Sequence, residues 1–339
     1  MRLEITVTIF LAILLTGDVL AHSKTDVIVL ENGSSIKGEI KGLLEGKLSF
    51  GTDSMGTVQV DWEDVVAVTS EFDYEVRLQN GERYYGSLDV ASDSGAVRVL
   101  ESDSEKSVGI LDVVELRPIE ERVADRFDAR IGFGFSYDNA SKISTFNLDT
   151  EVNYQDARGI TSLDGRTTRT DQEGANVSSN RYSIGRQYWT RRSQVIRWFD
   201  GSFEDNDELE LDYRYTVGFG LGKAIVDTNR QSLVGFLGVQ GAIEESDLTE
   251  KLKSLEGVLG VTYGIWRFDS PELDLSTDLT LYPGITESGR WRGNTNIRFS
   301  WELIEDFYWD VTTWASYDNR SQSGSDTDYG ISTGIAWEY

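Results

Sequence analysis

The chain has no cysteine and one histidine, His22, among 339 residues. Without thiols it forms no disulfide, no thiolate nucleophile and no cysteine-ligated metal site. A lone histidine beside the N-terminus leaves the rest of the chain without the base that Ser–His or Asp–His chemistry requires. No catalytic constellation stands in its place, so no enzymatic activity, cofactor or metal is expected. Positive charge is scarce: 32 Lys and Arg against 58 Asp and Glu give a net charge of -26. That balance argues against nucleic acid, whose phosphates attract a basic surface. Beyond the N-terminus no run approaches about 18 uninterrupted apolar residues, so no membrane helix is expected. A chain of this kind is either soluble or crosses a membrane as a closed barrel.

Proline occurs only 3 times, whereas glycine occurs 33 times and Trp, Tyr and Phe 9, 15 and 14 times. This composition favours strands and turns over helices. The N-terminus reads as an export signal. Arg2 precedes an apolar run from Ile5 to Leu15, and Val19-Leu20-Ala21 places small residues for cleavage after Ala21.

Residues 26–118 contain a duplication. DVIVLENGSSIKGEI returns as YEVRLQNGERYYGSL, and VQVDWEDVVAV as KSVGILDVVEL. Asn32-Gly33 matches Asn80-Gly81, an offset of 48 (80 minus 32). Each copy places an Asn-Gly hairpin turn between alternating strands. Two small SH3/Sm-like β-barrel repeats are expected, at 25–70 and 71–118, followed by a charged linker at 119–127. They serve either as a spacer or as a module for an envelope partner such as peptidoglycan. Exposure of Trp62, Tyr84 and Tyr85 would favour the partner.

From Asp128 to the end, polar turns divide the sequence into alternating segments. In GRWRGNTNIRFSWEL, Trp291, Ile297, Phe299 and Trp301 share one face, and Arg292, Asn294, Arg298 and Glu302 the other. The terminal ISTGIAWEY alternates in the same way. These segments exceed the roughly 5–6 residues usual in a soluble sandwich and suit tilted membrane strands. Twelve are expected, near 129–137, 143–154, 159–169, 178–189, 194–204, 210–223, 231–243, 253–266, 272–282, 290–303, 307–317 and 328–339. The fold class is therefore all-β: a 12-stranded antiparallel transmembrane β-barrel preceded by two small β repeats. Short turns such as DARG and WTRRS belong on the periplasmic side, and longer or acidic ones such as TDQEGANVS and EESDLTEK outside. Both termini are then periplasmic, and the last strand pairs with the first to remove both edges.

Parity assigns Glu151, Asp200, Glu204, Asp212, Arg214, Asp274, Asp278, Arg292, Arg298, Glu302 and Asp310 to the lumen. Arg292 and Arg298 are expected to pair with Asp274, Asp278 and Asp310 on neighbouring strands. Trp266, Trp301, Phe307, Trp309, Trp337 and Tyr339 are expected in the interfacial aromatic girdles. The acidic runs 204–212 and 244–250 read as solvated loops, with divalent-cation binding the other reading.

The export signal, the NG-containing β modules and a glycine- and aromatic-rich region ending in AWEY resemble the YdiY-like salt-induced outer-membrane protein family. The resemblance covers roughly 128–339 and implies a bacterial outer-membrane location and a barrel fold, with no activity attached. The terminal aromatic also resembles the signal read by the barrel-assembly machinery. Outer-membrane lipid and lipopolysaccharide are the surroundings so implied. Two roles stay open: a narrow passive channel for small solutes or ions, or a non-conducting anchor whose repeats hold an envelope partner.

Overall fold

A computed structural model describes residues 24–91, 95–119, 123–172, 175–207, 211–246, 249–320 and 326–337. The expected signal segment, His22 and Tyr339 lie outside the described residues. Those described form twenty-one strands and three short 3-10 turns. No helix is long and apolar enough to cross a membrane.

Strands β1 (Asp26–Leu30), β2 (Ser35–Leu44), β3 (Lys47–Gly51), β4 (Thr57–Asp61), β5 (Val65–Leu78), β6 (Arg83–Val90), β7 (Ala96–Glu101), β8 (Ser104–Gly109) and β9 (Val113–Pro118) form one 9-stranded sheet system. Its pairings repeat with the sequence. Val27 faces Lys37 and Thr69, and Glu75, 48 residues on (75 minus 27), faces Tyr85 and Arg117. The order β4-β3-β2-β1-β5 thus recurs as β8-β7-β6-β5-β9. Gly33 and Gly81 sit at φ 82° and 83° in matching turns, a backbone region that favours glycine.

The boundary expected between 70 and 71 falls inside β5. Its first half closes the first copy and its second half opens the second, with a register shift between Ser70 and Tyr74. The segment EFDYE contains no glycine or proline to break the strand. One core joins the copies: Ile28, Phe50, Trp62, Tyr74, Val76 and Val113 are buried together. The pairing of Leu43 on β2 with Leu116 on β9 ties copy to copy, and so do two side-chain hydrogen bonds. Trp62 Nε1 donates to the Ile110 carbonyl at 2.7 Å, and the Tyr74 hydroxyl donates to Asp26 at 3.0 Å. Trp62 is fully buried, and the Tyr84 and Tyr85 side chains are partly covered. The exposed aromatic surface that would have marked a partner is therefore absent at these three positions.

The second sheet has twelve antiparallel strands paired strictly in chain order. They are β10 (Phe127–Asp138), β11 (Ile143–Asp156), β12 (Gly159–Gln172), β13 (Ala175–Tyr188), β14 (Val195–Asn206), β15 (Leu211–Asp227), β16 (Gln231–Ser246), β17 (Thr249–Arg267), β18 (Leu273–Pro283), β19 (Trp291–Ile304), β20 (Phe307–Asp318) and β21 (Thr327–Trp337). Number and order match the sequence reading. The acidic connections differ from it. Much of TDQEGANVS and EESDLTEK is strand, so β16 and β17 run 16 and 19 residues. Closure differs as well: among the described residues β10 and β21 share no ladder.

The sheet curls about one polar face. Side chains from β12 through β18 line a single interior cavity, which includes Ser162, Asp200, Gln240, Thr262 and Tyr282. The outer face carries exposed Phe133, Phe135, Phe219, Leu237, Leu259, Ile331 and Ile335. A strand's period of two puts these two surfaces on alternate residues of one sequence.

Candidate functional site

The N-terminal domain sits against the turns at one end of the curled sheet, here the proximal end. The contacts are specific. The side chain of Asn229, in the β15–β16 turn, donates to the carbonyls of Leu111 and Val113 at 3.1 and 3.0 Å. Arg77 pairs with Glu115 inside its own domain at 2.5 Å and with Asp227 across the junction. Arg230 Nε reaches Glu63 at 2.7 Å. In the β13–β14 turn, the Arg83 N–H donates to the Arg191 carbonyl at 2.8 Å and Arg191 pairs with Glu101. The Arg83 guanidinium lies 4.8 Å from the Trp189 ring centre. Gly81 meets Gln194 so closely that an added Cβ would lie 2.6 Å from its Cγ. The equivalent Gly33 of the first copy has nothing within 4 Å, so docking breaks the symmetry of the repeat.

The tip of the β2–β3 hairpin reaches the proximal end of the sheet's concave face. Glu45 there holds its proton more tightly than an ordinary carboxylate, through burial and the nearby Asp274, with Arg298 opposing. An opening of about 670 Å³ remains beside the tip, bounded by Leu44, Lys47, Tyr85, Phe127, Asn153 and Ile160.

Tyr85 links the two parts by donating its hydroxyl to the Ala157 carbonyl at 3.1 Å. Burial, with Glu75 adding to it, pushes this phenol up to about 12, although Arg83 and Arg191 pull the other way. A raised folded value means stability that is present below the ordinary phenol value of about 10 and lost as pH rises through the folded one. The chain is therefore expected to lose thermal stability between about pH 10 and 12 more steeply than a Tyr85→Phe variant. Parallel losses in melts followed by circular dichroism would count against this coupling.

Inside the sheet, the ladders place Glu151, Asp200, Glu204, Arg214, Asp274, Asp278, Arg292, Arg298 and Asp310 on the concave face. Glu151 lies opposite Asp164, Glu204 opposite Arg214, and Asp310 opposite Ser300. Asp212 departs from this parity. Both ladders of β15 skip it, and the bulge turns Leu211 inward while Asp212 is exposed. Glu302 is buried at a proximal turn, where it accepts the N–H groups of Glu272 and Asp306 at 2.7 and 3.2 Å. It fixes that turn instead of lining the interior.

The expected pairs of Arg292 and Arg298 with Asp274, Asp278 and Asp310 do not form among the described residues. The register sets Arg298 opposite Ser276 and Thr312, and Asp278 opposite Asn296. Arg292 instead reaches Glu256, two strands away, with nitrogen–oxygen distances of 3.0 and 2.5 Å. Gln240 donates to the same carboxylate at 2.8 Å. At the distal end a chain of charges crosses the interior. Arg214 meets Glu204 at 3.6 Å and Glu244 at 2.8 Å; Arg290 meets Glu244 at 3.1 Å and Asp318 at 2.8 Å. Arg290 lies just before β19, so its two partners on β16 and β20 are joined across the curled wall. Glu204 and Glu244, from the acidic runs, are thus held by arginines.

The outer face separates the aromatic candidates. Trp301 and Trp309 face each other across β19 and β20, and Phe307 faces Trp337 across β20 and β21. Trp266 does not join them. It points inward, is buried, and donates Nε1 to the Asn229 carbonyl at 2.6 Å. It supports the turn on which the N-terminal domain docks.

The family described as "Protein of unknown function, DUF481" matches residues 126–339. The chain belongs to the DUF481 family. The matched region coincides with the twelve-stranded sheet; the docked N-terminal domain lies outside the DUF481 match. No curated protein and no solved structure matches the chain.

Proposed function

We propose that this DUF481 chain is a bacterial outer-membrane barrel of the YdiY-like salt-induced kind, with a narrow passage for small solutes or ions. One observation carries the reading: the same twelve strands present an apolar outer surface and a charged, hydrogen-bonded concave surface. Lipid favours the first, and water the second. Residues 1–21 direct export, the two SH3/Sm-like repeats lie in the periplasm, and the last strand is read by the assembly machinery. In the membrane β21 pairs with β10, because lipid leaves unpaired backbone groups unsatisfied at several kcal/mol each. Outer-membrane lipid and lipopolysaccharide contact the outer face.

The docked N-terminal domain supports a second role. A barrel covered at its proximal end also suits a non-conducting anchor that presents the repeats to a periplasmic partner. Planar-bilayer recording separates the two. The mature chain is expected to give small, steady current steps, and residues 128–339 larger ones, because the domain narrows the proximal mouth. Silence from both, with heat-modifiable folded barrels on gels, would end the passage reading and leave the anchor.

A further inference from the structure

The cavity lined by β12 through β18 has a volume of about 570 Å³ and an uneven chemistry. Its walls include Ile160, Ile196, Phe236 and Val258, and within them stands the carboxylate of Asp200. Most interior carboxylates described above have a donor. Glu256 has Arg292 and Gln240, Glu244 has Arg214 and Arg290, and Asp278 accepts from Thr262 at 2.9 Å. Among the described residues Asp200 has no ion pair and no hydrogen bond, and it is half-buried. Its ladder neighbours are Gly185 and Gly218, which offer no side chain. The arginines of this region are engaged elsewhere: Arg186, which also lines the cavity, pairs with Asp156, Arg292 is held by Glu256, and Arg181 stands in register with Glu204.

Two residues before Asp200 on the same face is Trp198. Its ring lies against the backbone of β15 and β16, within 3.2 Å of where a Cβ would stand at Gly218, Gly220 and Gly238. Three side-chain-free positions under one indole hold it flat on the wall, beside the unpaired carboxylate. Tyr282, from the opposite wall of the cavity, lies within electrostatic reach of Asp200.

We propose that this cavity binds a small organic ammonium ion, with Asp200 as its counter-charge and the Trp198 ring as its platform. A quaternary or alkyl-ammonium group suits the site better than a hydrated metal ion. It carries apolar groups that the Ile196, Phe236 and Val258 walls accept, its charge is diffuse, and an indole face attracts it. A single carboxylate supplies too few oxygens for a divalent cation. Ile160 lines both this cavity and the proximal opening beside the β2–β3 tip, so the two spaces adjoin. The inference rests on the concave face being water-filled, as the passage reading requires, but not on conduction.

The test is equilibrium titration of the full mature chain in detergent micelles with choline chloride, at constant ionic strength, by calorimetry. Its neutral isostere, 3,3-dimethylbutan-1-ol, is titrated in parallel. Choline is expected to bind at least about tenfold more tightly than the alcohol, the equivalent of one modest charge contact. Asp200→Asn keeps the shape and is expected to remove that preference. Trp198→Phe keeps a ring on the glycine bed and is expected to weaken choline several-fold, since indole is the better cation platform. Equal binding of choline and the alcohol, no binding of choline, or an unchanged preference in Asp200→Asn would each overturn the proposal. Because no current is measured, silence in the bilayer with choline bound would reject the passage and keep the site. Conduction without choline binding would do the reverse.

Discussion

Replacing Trp62 with alanine is expected to destabilise the N-terminal domain by roughly 3–5 kcal/mol, the usual cost of emptying a fully buried aromatic site. Trp62 is 0% exposed and packs within the core shared by both copies of the repeat. Its removal also leaves the Ile110 carbonyl without the indole donor that now lies 2.7 Å away. Hydrogen-exchange protection at the amides of β1, β5 and β9, in the full chain, measures the effect. Trp62→Phe keeps most of the volume and loses the hydrogen bond, so a loss of about 1–3 kcal/mol is expected there. Protection unchanged to within about 1 kcal/mol in the alanine variant would mean that the core does not depend on this residue.

The second large effect is expected at the junction. Arg77 is the cation between Glu115 of its own domain and Asp227 of the β15–β16 turn, with side-chain exposures of 17%, 7% and 9%. Arg77→Met keeps the length of the side chain but removes its charge. Asp227 then loses its ion pair to Arg77, and Glu115 keeps the one to Arg117. Breaking such a buried arrangement by deleting one member costs about 3–5 kcal/mol. The variant should undock at the turn: amides of 227–231 lose protection and the 119–127 linker becomes sensitive to protease, while the twelve-stranded sheet keeps its heat-modifiable migration. Pairing Arg77→Met with Asp227→Leu should recover part of the loss, because no buried carboxylate is then stranded. An intact, protected turn in Arg77→Met would show that the other junction contacts, among them Asn229, Arg230–Glu63 and Arg191–Glu101, hold the domain without Arg77.

Strand number, order and most boundaries were legible because a period of two is a strong signal over ten or more residues. The duplication was legible because Asn-Gly turns and Asp-Val-Val segments recur at one spacing. Alternation puts Asp200, Arg214, Arg292 and most other interior candidates on one face, and the ladders keep them together there. It gave no register. Register decides that Arg298 faces serine and threonine, and that Arg292 finds its acid two strands away. Alternation also fails at a bulge, which is why Asp212 was placed on the wrong face. Trp266 and Glu302 look like girdle and wall residues by position along the strand. Their assignment depends on the turns they hold, which lie far apart in sequence. Arg290 reaches Glu244, and Arg292 reaches Glu256, across strands that are not adjacent. Their inward parity was readable; their pairing was not. Docking of the N-terminal domain left still less trace, since Asn229 and Arg77 are ordinary polar residues until two distant turns meet.

Strand β5 has a consequence for the ancestry of the domain. The last strand of one copy runs on as the first strand of the next, and the two copies pair in the same registers 48 residues apart. Recombination between the copies that removes one period would leave a chain whose strands still meet in frame. Such a deletion would pass unnoticed at the level of local pattern. It would nonetheless lose the hydrogen bonds from Trp62 to Ile110 and from Tyr74 to Asp26, the pairing of β2 with β9, and half of the common core. The two copies are therefore expected to unfold as one cooperative unit, and a single copy to be unstable alone.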